Sequence, residues 1–167
     1  CSTRLINSLA LTDGFIDATE KSAKPKHMKD RYLVLRFLAF YLWNEHRSRD
    51  VETGEALDYK SNLEDFLGMT MRYLNSLDEN GDEMDGIRRT FESVMDTASR
   101  VVVPLGGFRL PSKPGGNKRP INMAFFESFC YFISCISGYT DDIIKEAYDM
   151  LLEENDYVYT LTHSVDS

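Results

Sequence analysis

The hydrophobic pattern of the chain is dominated by one long apolar run over residues 32–43. Eleven of these twelve residues are apolar or aromatic, and Arg36 is the single charge. A run of this length without Gly or Pro is too long for an ordinary strand, so it predicts a helix over about residues 29–46 with Asp30 as N-cap. A helix that is apolar on every side has to be covered by its neighbours, and we expect it to lie at the centre of a bundle. The run is too short for a membrane span, which needs roughly 20 apolar residues.

Apolar residues at helical spacing predict two further helices in the middle of the chain. Ser61 and Glu64 are predicted to form a capping box that begins a helix reaching Leu77, because the side chain of each residue accepts from the free backbone N–H of the other. The next helix runs from Asp82 to the residue before Pro104. Its apolar stripe consists of Met84, Ile87, Phe91, Val94, Met95 and Ala98.

The two ends of the chain give further helical predictions. Asn122 caps a second strongly apolar helix over residues 123–137, which Gly138 ends, and Thr140 caps an amphipathic helix that follows. Residues 4–23 are weakly amphipathic, with a break near Asp13 and Gly14 and a second short helical piece over residues 15–22. The tail over residues 157–162 has strand-like propensity without a partner strand, so its structure stays open.

Polar and Gly/Pro-rich segments separate these elements. We interpret residues 24–27 as a linker, residues 47–60 as a solvated loop and residues 106–120 as a basic loop. The predicted fold class is all-α, an irregular bundle of about five to seven helices around a buried central helix. Residues 1–167 form a single domain, and because the chain starts at Cys1 and stops at Ser167 we expect it to be a fragment of a longer protein.

Charge is distributed unevenly along the chain. A net charge of -8 and a pI near 4.9 argue against the whole domain lying on nucleic acid or an anionic membrane. Residues 50–96 hold thirteen acids and four bases, whereas residues 21–31 and 104–120 are basic. The three cysteines contain no CxxC pair and do not make a disulfide framework, which favours free thiols in a reducing, cytoplasmic compartment.

Residues that carry chemistry are few. The three histidines belong to no zinc-ligand pattern, so no metal site is predicted. The segment over residues 163–166 holds the residue types of a hydrolase triad, but triads form from separate parts of a fold. Arg36 lies in the most apolar helix and needs a carboxylate or carbonyls as partners, which favours a structural buried ion pair over an anion site. No catalytic residue is predicted.

The glycine-rich basic loop leaves two interpretations open. Residues 115–119 do not fit the GxxxxGK[ST] phosphate loop, because the leading Gly is missing and Arg119-Pro120 replaces the hydroxyl residue and the helix start. The loop is then either a plain surface or docking loop, or a contact for a polyanion. The candidate contacts for nucleic acid or phosphate are Arg109, Lys113, Lys118 and Arg119.

Four stretches of the chain resemble a known family in the same order. Residues 28–40 (MKDRYLVLRFLAF) resemble the MKDRELVLRFLAF segment of the N-terminal domain of GmrSD-type restriction endonucleases. The later stretches are residues 66–71 (FLGMTM), residues 105–109 (LGGFR, similar to FGxxAFR) and residues 120–127 (PINMAFFE). The resemblance extends from about residue 5 to the end of the chain.

The resemblance implies a division of labour within a longer parent protein. In that family a ParB/sulfiredoxin-like first half carries a DGQQR motif linked to nucleotide handling, and a helical second half follows. This chain resembles the helical half only, because it contains neither DGQQR nor an HNH-type nuclease region. The resemblance therefore implies no cofactor in this fragment, and a nucleoside triphosphate with a divalent metal for the parent. The implied partner is the ParB-like half of the same chain, with DNA bound through the parent and no membrane.

Three functional hypotheses follow. The leading one is a non-catalytic helical scaffold or interaction domain from a bacterial restriction or phage-defence type protein, supporting a ParB-like, nucleotide-dependent nuclease module. The alternative is a module that contacts DNA or nucleotide phosphates through the basic segments 21–31 and 104–120. The third is a free-standing helical hydrolase, which would need a cleft with convergent titratable groups.

Overall fold

Helices make up nearly all the regular structure of the chain in a computed structural model, which describes residues 1–22, 28–60, 62–112, 116–136, 138 and 140–163. Within these ranges the chain forms eight helices and no strand, apart from one isolated bridge between Arg49 and Ala56. The all-α prediction is confirmed, with one helix more than the predicted maximum. The helices are α1 (Ser2–Leu9), α2 (Asp13–Ala18), α3 (Lys29–Asn44), α4 (Leu63–Ser76), α5 (Asp82–Thr97), α6 (Met123–Cys135), α7 (Asp141–Glu153) and α8 (Asn155–His163).

The central helix α3 is largely enclosed by its neighbours. It packs against α6 most extensively and against α1 and α4 on its other sides. Its buried apolar side chains are Leu33, Val34, Phe37, Leu38, Ala39, Tyr41 and Leu42. The helix begins after Met28, not after Asp30, so the predicted N-cap was wrong. Met28 has a left-handed backbone (φ 53°), and the Asp30 carboxylate accepts from the N–H of Arg31 inside the first turn.

Aromatic rings fill the core on both sides of α3. Phe91 of α5 meets Phe15 of α2 and Phe37 of α3 with ring centroids 5.9 Å and 5.5 Å apart. A second, smaller cluster lies between α3 and α4, where Phe66 packs against Phe40 and the neighbouring aromatic residues. Edge-to-face and tilted ring pairs of this kind add stability beyond the apolar area they bury. The core is therefore continuous from α2 through α5 to the central helix.

Helix α5 continues past the predicted end. Its stripe from Met84 to Ala98 is fully buried, as predicted, but a π-helical turn (Ala98–Val102) and a last turn (Val103–Leu105) follow it. Pro104 lies inside that last turn. A proline ring clashes with the carbonyl four residues earlier in a regular helix. The wider π turn before Pro104 relieves this clash. The helix ends with a hydrogen bond from Gly107 N–H to the carbonyl oxygen of Val102, five residues earlier (3.0 Å).

The carboxyl-terminal helices pack around α6. The Asn122 side chain caps α6 by accepting from Phe125 N–H (2.9 Å), as predicted, and its amide donates to Leu161 O (3.0 Å) of α8. Gly138 has a positive φ (100°), but α6 ends at Cys135 with Ile136 as its C-cap, so the helix is shorter than the predicted residues 123–137. The strand-like tail is helical: it forms α8, because Leu161 is buried in the core and Tyr157 packs against Phe125. Tertiary contacts here override the β-propensity of Tyr, Val and Thr.

The remaining boundaries differ from the sequence predictions in detail. The amino-terminal break lies at residues 10–12, and Asp13 begins α2 instead of interrupting it. In the polar loop over residues 47–60, Ser48 and Leu57 are buried, Leu57 against the smaller cluster. Asn62 is the residue that caps α4, and its side chain accepts from Asp65 N–H (3.2 Å). Ser61 of the predicted capping box and the linker over residues 24–27 lie outside the described residues.

Candidate functional site

A cavity of about 290 Å³ lies between the loop that follows α5 and helix α7. Three of the four predicted phosphate contacts line it: Arg109, Lys118 and Arg119, together with Ser112 and Tyr148. The fourth, Lys113, lies outside the described residues. We call this space the basic cavity.

Arg109 is the buried anchor of the basic cavity. Its side chain is 7% exposed, and it forms an ion pair with Glu20, just after α2, while Nη2 donates to Ser22 Oγ (2.6 Å). Lys118 pairs with the second oxygen of the same Glu20 carboxylate. Burial lowers the pKa of the Arg109 guanidinium from its usual value. The two basic segments of the sequence therefore meet at residues 20–22, where one acid joins them.

Two consecutive glycines make this arrangement possible. Gly106 and Gly107 have positive φ angles of 131° and 72°. A Cβ on Gly107 would lie 2.8 Å from both Arg109 Nη1 and Glu20 Oε2, and one on Gly106 would lie 3.2 Å from Tyr148 Oη. Tyr148 also donates to Gly107 O (2.7 Å). The close approach that the glycine pair permits is used by side chains of the protein itself.

Glu20 is the residue that sequence reasoning missed. The predicted basic segment begins at Lys21, one residue after Glu20, and no local sequence pattern indicates that this acid contacts Arg109. Both Glu20 and Lys21 have left-handed backbones (φ 50° and 57°), and Lys21 N–H donates to Ile16 O (3.0 Å). A left-handed conformation is unfavourable for residues with a Cβ, so this turn is held by its hydrogen bonds and by the ion pair.

Arg36, the predicted buried charge, pairs with Glu127 of α6. Two bonds join them, from Nε to Oε2 (2.6 Å) and from Nη2 to Oε1 (3.0 Å), and each side chain is 14% exposed. The guanidinium also lies over the Tyr32 ring at 5.6 Å. Burial opposes the charge on Arg36, but the paired carboxylate outweighs it and raises the pKa. The pair ties the two most apolar helices together away from the basic cavity.

The other open surfaces include a polar and an apolar groove. A polar groove of about 740 Å³ lies between α5, α6 and α7, with Thr90, Ser93 and Thr97 along one wall. At its edge Arg100 pairs with Asp141. An apolar groove of about 250 Å³ lies between α1, α3 and α4, and we use that name for it below. Its lining includes Ile6, Met28, Arg31, Tyr32, Leu35 and Met71.

The histidines and cysteines are dispersed. His46 is exposed, and the His163 ring stacks on Tyr159 at 4.0 Å. His27 and residues 164–166 of the triad-like segment lie outside the described residues. Burial raises the pKa of the Cys130 thiol, while Cys135 is exposed. The described part of the chain contains no group of three or more His, Cys, Asp or Glu placed to hold a metal ion.

Comparison of the chain with family models, curated proteins and solved structures gives no match. The resemblance to the GmrSD-type family rests on the four stretches of sequence. Within the described ranges, no helix combines the length and apolar character that crossing a membrane requires.

Replacing Arg36 with Met should destabilise the fold by about 3 kcal/mol, because Glu127 would remain buried without its partner. Adding Glu127→Leu should recover most of that loss, since an apolar pair avoids the cost of taking two charges out of water. Urea unfolding of the two single variants and the double variant measures this coupling. Arg100→Met, which breaks a largely exposed ion pair, is the control and should cost less than about 1 kcal/mol. Additive single effects would contradict the prediction.

Tyr148 should make stability fall at high pH. Burial, then the nearby Asp149, raises the pKa of its phenol to about 12, against 10.0 when it is unperturbed. Above pH 10 the unfolded chain loses this proton first, so its contribution to folding declines between pH 10 and 12. Tyr148→Phe should cost about 1 kcal/mol at pH 8, through the lost bond to Gly107, and should make the alkaline decline shallower. Urea unfolding at pH 8 and between pH 10 and 12 tests this, with Tyr159→Phe at an exposed position as the control. An equal alkaline loss of stability in the wild type and in Tyr148→Phe would contradict the prediction.

Proposed function

We propose that the chain is a non-catalytic helical interaction domain from a bacterial restriction or phage-defence type protein. Its partner is a ParB-like, nucleotide-dependent nuclease module, which binds the nucleoside triphosphate and the divalent metal. The observation that carries the proposal is the apolar groove, where the described residues leave the amino-terminal part of the central helix uncovered.

The composition of the apolar groove favours a protein partner. Met28 is 62% exposed and Tyr32 is 36% exposed, although half of the residues of α3 are buried. Leu35 and Met71 are half-buried beside them, and Ile6 forms part of the floor. Aromatic residues, Met and Arg are enriched at protein interfaces, whereas Lys, Glu and Asp are depleted. The groove contains all three favoured kinds of residue.

Arg31 is held in place at the rim of the apolar groove. Its Nη1 pairs with the buried Asp30 carboxylate at 3.1 Å, and its Nε donates to Asn7 of α1. A fixed guanidinium loses little side-chain entropy when a partner binds, which favours a preformed docking surface. By contrast, Arg109 and Lys118 are already engaged by Glu20, so the basic loop offers a protein partner fewer free charges than the apolar groove offers apolar contacts.

Met28→Asp should weaken binding of a purified ParB-like module carrying the DGQQR motif by at least tenfold. The substitution puts a charge into the apolar groove, and Asp tolerates the left-handed backbone at this position better than most residues. Isothermal titration calorimetry measures the loss. Met150→Asp on α7 is the matched control, since Met150 is 68% exposed and lies outside the groove.

Two results would contradict this proposal. One is equal affinity of the wild-type chain and Met28→Asp for the module. The other is nucleotide hydrolysis or DNA cleavage by the isolated chain that a single substitution within it abolishes.

A second candidate function is contact with DNA through the basic segments 21–31 and 104–120. It is favoured by the meeting of these segments where Arg109 donates to Ser22. Lys21 and Arg119 are exposed and have no ion-pair partner among the described residues. Their charges remain available to phosphate groups outside the protein.

Lys21→Ala combined with Arg119→Ala should weaken duplex DNA binding and reduce the slope of log K against log salt by about 2. Fluorescence anisotropy at several salt concentrations measures the slope. Lys60→Ala with Arg72→Ala removes the same charge from the acidic part of the chain and should leave the slope unchanged. Binding that is absent, or that does not depend on salt, would exclude this function.

A further inference from the structure

We infer that the basic cavity binds a small phosphate-bearing anion, and that the carboxylate of Glu20 occupies the site as an internal competitor. The inference goes beyond the docking function and does not depend on it. It uses side chains of the second candidate function, but the ligand is a free phosphate or phosphate monoester and not a DNA duplex.

The charges around the basic cavity exceed what one carboxylate neutralises. Arg109, Lys118 and Arg119 line it, and Glu20 is the carboxylate bonded to two of them. A phosphate group carries nearly two negative charges and three acceptor oxygens, so it matches this set of donors better than a single carboxylate. This excess of positive charge is confined to the basic cavity, since the protein as a whole carries a net charge of -8.

Arg109 needs a permanent anionic partner. Its side chain is almost fully buried, and a buried guanidinium without a partner is strongly unfavourable. Glu20 supplies that partner when no ligand is bound. Arg109 is therefore a fixed anchor, preorganised by Ser22, while Lys118 is largely exposed and can follow whichever anion, Glu20 or a ligand, lies on Arg109.

The backbone beside Arg109 is shaped to receive an anion oxygen. Glu20 Oε2 lies where a Cβ on residue 107 would come within 2.8 Å, so only glycine leaves this position open to an oxygen atom. A phosphate oxygen placed there would keep the Arg109 contact that Glu20 now makes. The cavity volume of about 290 Å³ extends the site toward Ser112, with room for a monoester beyond the phosphate group.

Glu20 is placed to leave without disrupting the core. It follows α2 instead of lying within it, and its side chain is partly exposed. Its left-handed backbone, and that of Lys21, are conformations that residues with a Cβ adopt only under constraint. A phosphate that replaces the carboxylate on Arg109 removes one such constraint, and the carboxylate then reaches water.

Glu20→Gln should bind inorganic phosphate at least tenfold more tightly than the wild-type chain, because the internal competitor has lost its charge. Isothermal titration calorimetry at constant ionic strength measures the affinity. Phosphate should also raise the Tm of Glu20→Gln more than that of the wild type, since it restores a partner to Arg109. Glu92→Gln, an exposed position on α5, removes the same charge elsewhere and should leave the affinity unchanged.

A second variant keeps the test decisive. Lys118→Met, at an exposed side chain, should weaken phosphate binding several-fold both in Glu20→Gln and in the wild-type background. Equal affinity of Glu20→Gln and the wild type, or binding that Lys118→Met does not change, would overturn the inference. Titration with glycerol phosphate in parallel distinguishes a monoester from the free ion, and tighter binding of either supports the site. None of these measurements uses DNA, so their failure leaves the test of the second candidate function intact.

Discussion

The contact between α3 and α6 is the constraint on which the rest of the structure depends. Both helices are apolar around most of their circumference, so each needs the other as cover. Beyond the first turn of α3, Arg36 is its one charged residue, and Glu127 is the one charged residue of α6. Each of these buried charges satisfies the other, which restricts the two helices to the register in which they meet. The other helices then close around this pair.

The sequence was sufficient to predict the structure wherever residues within one helix determine it. The stripe of α5 and the Asn122 cap of α6 follow from spacing and from local hydrogen bonding, and both are present. Where distant residues determine the structure, the sequence left it open or predicted it wrongly. The tail, whose structure the sequence left open, forms α8 because Tyr157 packs against Phe125 of α6 and Leu161 is buried in the core. Pro104 stayed helical because the π turn before it changes which carbonyl faces the ring.

At the candidate site, too, the sequence alone does not predict the charged partners that come from distant parts of the chain. Counting charges along the chain located Arg109, Lys118 and Arg119, and the fold does bring them to one cavity. Their partner Glu20 is 89 residues from Arg109 in sequence, and no periodicity relates the two. A basic segment in a sequence therefore describes only the cations. The field that a ligand meets depends on acids that tertiary structure delivers from elsewhere.

The π turn at Ala98–Val102 has a consequence for how this chain tolerates insertions and deletions. The π turn holds one residue more than a regular helical turn, so regular α-helical spacing with the same number of residues would rotate everything after it by about 100° around the helix axis. Gly106 and Gly107 would then face away from Tyr148 and Arg109, although no side chain at either position had changed. Homologous chains that keep the glycine pair should for this reason either keep the π turn or lack one residue there, even where the residues themselves vary.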